Sequence, residues 1–253
     1  MKRWGAPSLR HAATLGLAAG LLAGCSSTPR QAPDIATSPW AKQSGAQRGA
    51  VWAHRTFQGK TPTNFEYTRR EGRDAVSVDA QSSMSVVQQV LRIEAEQLGK
   101  VRFSWNVPAL IDGADMALRD KDDAPVRILL AFDGDRSRFS PKDAALSELA
   151  RALTGEPLPY ATLMYVWCNH RASGSIIQSP RTDRVRKLVV ESGKGGLNQW
   201  REYERDIRSD YERVFGEKPG ALVGIAIMSD SDNTHSQASA WYGPVQLLPV
   251  AAR

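Results

Sequence analysis

Two cysteines and four histidines in 253 residues leave few groups for redox, metal or nucleophilic chemistry. No GxSxG elbow, HExxH helix or phosphate-cradling glycine loop is present, so the common hydrolase, zinc-protease and nucleotide signatures are absent. His11 lies in a leader-like start, which leaves His54, His170 and His235. Ser173-Gly174-Ser175 lies close to His170, but its Gly/Ser composition marks a turn rather than a nucleophile. There is no repeat of the kind solenoids show. Gly195-Gly196 lacks the Lys-Ser/Thr partner of a phosphate loop.

The N-terminus carries an address. Lys2, Arg3 and Arg10 precede an apolar stretch from Leu15 to Leu22, and Leu22-Ala23-Gly24-Cys25 follows. A basic start, a short apolar core and small residues before a cut make a secretory signal, too short for a permanent span. A Cys directly after Ala-Gly resembles the bacterial lipoprotein signal and makes Cys25 the predicted lipid attachment. Several acyl chains together hold a protein firmly to a membrane. Ser26, in place of Asp, resembles the outer-membrane sorting pattern. Residues 1–24 are thus read as signal peptide and residues 25–48, rich in Ser, Pro, Ala and Gln, as a flexible tether. Without the leader, thirty basic residues face twenty-seven acidic ones. With Cys25 acylated, Cys168 has no disulfide partner, so stability over residues 49–253 must come from a packed core.

Alternation dominates that region. In Val101-Arg102-Phe103-Ser104-Trp105-Asn106-Val107 apolar and polar side chains swap sides at each step, as a half-buried strand requires. Further strands are predicted at 126–132, 161–168, 185–190, 222–228 and 241–248, and weaker ones at 51–57, 64–68, 75–80 and 84–93. Two segments favour helix. Ser140-Pro141-Lys142-Asp143 combines a capping hydroxyl, Pro at the first helical position and an early acid, with Leu146, Leu149 and Leu153 at helical spacing and Gly155 as the stop. The other runs from Asn198 to Gly216, with Trp200, Tyr203, Ile207, Tyr211 and Val214 in one stripe and Glu204, Arg208 and Glu212 four apart. Many short strands and two helices predict a mainly β fold: an antiparallel β-sandwich of jelly-roll type with two inserted helices.

Several pieces together resemble a known family. They are Asp122-Asp123-Ala124-Pro125-Val126-Arg127 entering a strand, Leu158-Pro159-Tyr160 leading to Tyr165-Val166-Trp167, and Ser179-Pro180-Arg181-Thr182-Asp183-Arg184-Val185-Arg186. Asp210-Tyr211 with Phe215-Gly216 and the stretch 224–248 complete the set. Their order and spacing resemble the bacterial exported proteins grouped as domain of unknown function 3047, over roughly residues 50–248. The resemblance implies a jelly roll similar to galactose-binding-like modules. It implies no reaction, and Cys168 and His170 are not part of its pattern.

Three constellations carry candidate chemistry. Asp230, Asp232 and Thr234 at alternating positions, with Asn233 between them, offer oxygens that suit Ca²⁺. A helix–loop–helix calcium hand would require Gly at the sixth loop position and Glu at the twelfth, where this chain has His235 and Trp241. A metal held by Asp230 and Asp232 therefore competes with the favoured reading, an Asx-type turn. Asp122, Asp123 and Arg127, set against Asp183, Arg184 and Arg186, make either the polar floor of a ligand groove or an ion-pair network across strands, and the network is favoured. Trp105, Trp167 and Trp241 offer a stacking platform. Trp105 shares its face with Val101 and Phe103 and belongs to the core, whereas Trp167, at its strand end, is the strongest candidate for exposure, although Leu163 and Tyr165 on the same side favour the core for it too.

These features point to a non-enzymatic ligand-binding lipoprotein, with a glycan or an envelope protein as partner. An envelope polysaccharide hydrolase using paired carboxylates such as Asp122 and Asp230 is the alternative, and a scaffold whose groove is filled by its own helices is the third reading. The scaffold requires Trp167 and Arg127 both buried and paired. The exported address argues against nucleic acid as the target of the basic run 181–187.

Overall fold

The structure is a computed structural model that describes residues 34–45 and 51–250. Cys25, the signal segment and the first part of the tether lie outside the described residues. Among those described, no helix is long and apolar enough to cross a membrane.

Thirteen strands form two layers. One sheet runs in the order β1 (Trp52–Thr56), β4 (Met84–Ile93), β11 (Leu222–Asp230), β6 (Ala124–Phe132), β7 (Ala161–Cys168), β9 (Val185–Ser192), β8 (Ile176–Gln178). The other runs β10 (Trp200–Asp206), β5 (Lys100–Asn106), β12 (Gln237–Tyr242), β3 (Arg73–Gln81), β2 (Asn64–Arg70), with β13 (Gln246–Leu248) beside β5. Every pair is antiparallel except β7 with β9, which departs from the purely antiparallel expectation. The chain is thus mainly β, two sheets forming a sandwich with few short helices.

Alternation explains the layers. Phe103 and Trp105 of β5 turn inward, and Phe103 stacks across the layers on Tyr165 of β7 at 5.5 Å between ring centroids. Central β6 is apolar on both faces because both are covered. Val126, Ile128, Leu130 and Phe132 enter the shared core, while the segment 108–123 folds over the outer face and packs Met116 against Val166, Cys168 and Val189.

Four expectations are corrected. The helix predicted over 198–216 is a strand, β10, followed by a shorter helix α3 (Ile207–Phe215). Helical spacing of charges was misleading there. Glu204 pairs instead with Lys100 and Arg102 on β5, and Asp206 caps α3 by accepting from Ser209 N at 2.8 Å. The run 241–248 breaks at Gly243-Pro244 into β12 and β13, since Pro cannot donate within a ladder. Helix α2 (Pro141–Thr154) forms with its cap as predicted, yet Leu149 and Leu153 are 55% and 63% exposed. Its seat is polar: Thr182 donates to Asp143, and Arg136 donates to Ser147 at 3.0 Å.

The fourth correction concerns the tether. Residues 34–45 form a packed strap with a 3₁₀ turn at Ile35–Thr37 and a short helix α1 (Pro39–Gln43). Trp40 is fully buried against Trp52 at 4.9 Å, Gln43 donates to Asp74 at 2.7 Å, and Gly45 N donates to Val245 O at 2.7 Å. A segment poor in large apolar residues still packs when its one Trp fills a gap between two sheets. Trp40→Ala is expected to cost about 3–5 kcal/mol in denaturant unfolding, whereas a free tether at this position would show no change.

Candidate functional site

Arg127 leaves β6 on the outer face and is only 2% exposed. Its guanidinium forks onto Asp230 of β11, Nε to Oδ1 at 2.8 Å and Nη2 to Oδ2 at 2.9 Å. Nη2 also donates to the Asp122 carbonyl at 2.8 Å and carboxylate at 3.2 Å. Lys187 of β9, 1% exposed, donates to Asp122 Oδ2 at 2.8 Å and Met116 O at 2.9 Å. Burial, seconded by the neighbouring Arg127, depresses the Lys187 amine to about 8 against the pull of Asp122. Asp122 is held below the usual carboxylate range: burial works to raise it, but Arg127 and Lys187 together outweigh that. Burial lifts Asp230 to about 7 against the draw of Arg127. The cluster is a closed network sealed by segment 108–123. The pair Asp122 and Asp230, considered above for hydrolysis, is committed to cations and out of solvent.

The acidic loop is equally committed. Asp123 accepts from Asn233 N at 3.2 Å, Asn233 Nδ2 at 2.8 Å, Thr234 N at 2.7 Å and Thr234 Oγ1 at 2.6 Å. Asp232 pairs with Lys60. Carboxylate oxygens of Asp123, Asp230 and Asp232 come within 4.8 Å of one another. A divalent ion would nevertheless have to displace the Arg127 fork and the amides that Asp123 holds. Its ligands must be free oxygens, so these residues do not fit one. Asp230-Ser231-Asp232-Asn233-Thr234 is a capped turn between β11 and β12.

The remaining predicted residues lie elsewhere. Asp183 is exposed and accepts from Gln178 at 2.7 Å. Arg184 pairs with Glu217 at 2.5 Å and lies over the Tyr160 ring, and Arg186 donates to Val214 O at 2.7 Å. These arginines fasten the end of α3 to β9, apart from the Arg127 network. Arg181 donates to Asn233 at 2.8 Å, so the basic run is spent on internal contacts. Trp167 is fully buried and donates to Gly193 O at 3.0 Å, so the core reading holds and the ring offers no platform to a ligand.

An unforeseen site lies on the outer face of the six-stranded sheet. Trp200, Asn106, Trp241, Ser77 and Glu66 form one in-register row across β10, β5, β12, β3 and β2. Asn106 is 0% exposed between the two tryptophans, and neither its amide oxygen nor its amide nitrogen has a partner. The Trp200 Nε1 is likewise unpartnered. Arg70 stacks over Trp241 at 3.7 Å and Arg73 over Trp200 at 4.6 Å. Arg73 crosses the sheet at Gly243 to reach Ser104 at 3.2 Å and Glu202 at 2.8 Å. A Cβ on Gly243 would lie 2.1 Å from Ser104 Oγ and 3.5 Å from Arg73 Cδ. Of this row the sequence reading had offered Trp241 for stacking and assigned Trp200 to a helix. No period-two signal marks it, because Trp200 and Tyr203 lie three apart and so on opposite faces of β10. Lys187, concealed in a basic run, carried no signal of burial.

Fold and site together define a β-sandwich with a sealed ionic network on one outer face and an aromatic row on the other. The chain belongs to the family described as protein of unknown function DUF3047, which matches residues 50–246. A comparison with curated proteins finds no match. Among solved structures, the xyloglucanase domain of NopAA, a type three effector from Sinorhizobium fredii, in complex with cellobiose, aligns at TM-score 0.40 and 11% identity, covering 81% of this chain and 95% of that one. The low-affinity xylan-binding module CBM86 from Roseburia intestinalis aligns at 0.26 and 13%, covering 79% and 97%. A mutant ENZbleach xylanase aligns at 0.32 and 10%, covering 85% and 93%. At these scores the likenesses carry no statement about activity.

Arg127→Ala is expected to destabilise the fold by about 3–5 kcal/mol, since it leaves buried carboxylates uncompensated, and Arg127→Lys to recover little, lacking the fork. Lys187 titrates near 8 when folded and at 10.5 in its ordinary state. The unfolded chain therefore binds the proton more tightly, and stability rises with pH between about 8 and 10.5, by up to ~1.4 kcal/mol per unit. Lys187→Met should flatten that rise in melts across the window. Millimolar Ca²⁺ should leave the melting temperature unchanged.

Proposed function

We propose that this chain is a non-enzymatic binding module of the bacterial envelope, held at the outer membrane by lipid on Cys25, that takes a glycan on the outer face of its six-stranded sheet. The observation that carries the reading is Asn106, buried between Trp200 and Trp241 with both amide atoms unsatisfied. Leaving such groups without partners costs about 1–3 kcal/mol each, and buried polar atoms in native structures are otherwise paired. Sugar rings present apolar C–H faces for indole and hydroxyls that both donate and accept, which matches an amide set between two tryptophans. Arg70 and Arg73 cover the rings and would swing aside for a ligand, and Ser104 and Ser77 supply further polar contacts beside the row.

A glycan array and a peptidoglycan pull-down with the purified chain test this. Binding is expected, with a loss of tenfold or more in Trp200→Ala and Trp241→Ala and unchanged melting curves. A second reading, an envelope scaffold, is favoured by one observation: Trp167 and Arg127 are both buried and partnered, as a sandwich filled by its own side chains requires. Failure of every glycan to bind would leave that reading in place.

A further inference from the structure

The two sheets meet along a seam where their edge strands β1 and β2 face each other, and the strap crosses it. Beside the strap the seam opens into a cavity of about 280 Å³, near the lower end of small-molecule sites at ~300–1,000 Å³. Its walls include Trp52 and His54 from β1 and Phe65 and Tyr67 from β2, and Asp34 and Glu66 add two carboxylates.

We propose that this seam pocket binds a small organic cation, an alkylated ammonium group, between its aromatic walls and the carboxylates of Asp34 and Glu66. The charge pattern is the first support. The chain carries 33 lysines and arginines, yet none lines the pocket, and neither Asp34 nor Glu66 forms an ion pair among the described residues. The Asp34 carboxylate accepts from Ala36 N at 3.2 Å, and the Glu66 carboxylate accepts from Asn64 at 3.0 Å. His54 adds no charge at neutral pH, because burial lowers its pKa from an ordinary value already below 7. Ring faces attract cations through their quadrupole, most strongly when the cation is weakly hydrated, as alkylation makes it.

The walls are set before any ligand arrives. Tyr67 OH donates to Asp74 at 2.7 Å, His54 Nε2 meets Ser85 Oγ at 2.8 Å, and His54 packs edge-on against Phe65 at 5.5 Å. Trp52 is braced by Trp40, and its buried Nε1 has no acceptor among the described residues. That donor suits a ligand that carries an oxygen near its ammonium group. Preorganised walls spare a ligand the entropy of ordering them.

Titration of the full chain with tetramethylammonium and with choline, followed by tryptophan fluorescence and calorimetry, tests the inference. Saturable binding of both is expected, with choline the tighter. The neutral isostere 3,3-dimethyl-1-butanol should bind at least tenfold more weakly. Asp34→Asn and Glu66→Gln, both at exposed positions, should each weaken the cations several-fold without moving the melting temperature. Trp200→Ala should leave cation binding unchanged, which separates this pocket from the glycan row. No saturation, equal affinity for the neutral isostere, or insensitivity to both carboxylate variants would overturn the proposal.

Discussion

A guanidinium removed from water has to be met on all sides, and the network around Arg127 draws on three further segments of the chain. Asp230 comes from β11, Asp122 from the covering segment, and Lys187 from β9 shares Asp122. Desolvation of the charges is recovered only because the fork is bidentate and the remaining oxygens are hydrogen-bonded. Everything at that end of the sandwich follows from this pairing. Asp123, next in sequence to Asp122, is positioned to cap the turn at Asn233 and Thr234, and the turn sets where β12 begins. Arg127 N donates to Tyr242 OH at 3.0 Å, and Tyr242 in turn donates to Met228 O at 2.5 Å. With Tyr242 held inward, the alternation of β12 places Trp241 on the outer face. The sealed network and the aromatic row are two consequences of one register.

The other end depends on shape rather than charge. Two twisted sheets leave a gap along one edge, and Trp40 from the strap fills part of it against Trp52. The strap lies ahead of the residues that match the family. The part of the gap left unfilled is the seam pocket, so the same edge supplies both a stabilising plug and a cavity.

The layered β architecture was legible because burial writes itself into side-chain alternation. Val101 to Val107 and 126–132 needed no partner to be recognised as strands. The segment 198–206 was not legible as a strand: its charges satisfy helical spacing, its apolar Trp200 and Tyr203 do not alternate, and the open edge of β5 decided the matter. Arg127, Asp122 and Asp230 were legible as residues able to pair, but their separation in sequence says nothing of convergence. Arg184 and Arg186, chemically equivalent on paper, fasten the end of α3 instead, and Asp183 stays exposed beside Gln178. Trp167 was legible as core from the face it shares with Leu163 and Tyr165, and only the folded loop supplies Gly193 O as acceptor for its indole N–H.

Composition and local pattern by themselves determined the export-like start, the two-layer β class and the helix cap at Ser140, because each depends on neighbours within a few residues. Tertiary structure decided which charges are sealed and which aromatic residues face outward. It also left Asn106 without partners and Asp34 and Glu66 beside an aromatic pocket. Those outcomes depend on strand register and sheet edges, which bring together residues more than a hundred positions apart and have no signature in any short window of the chain.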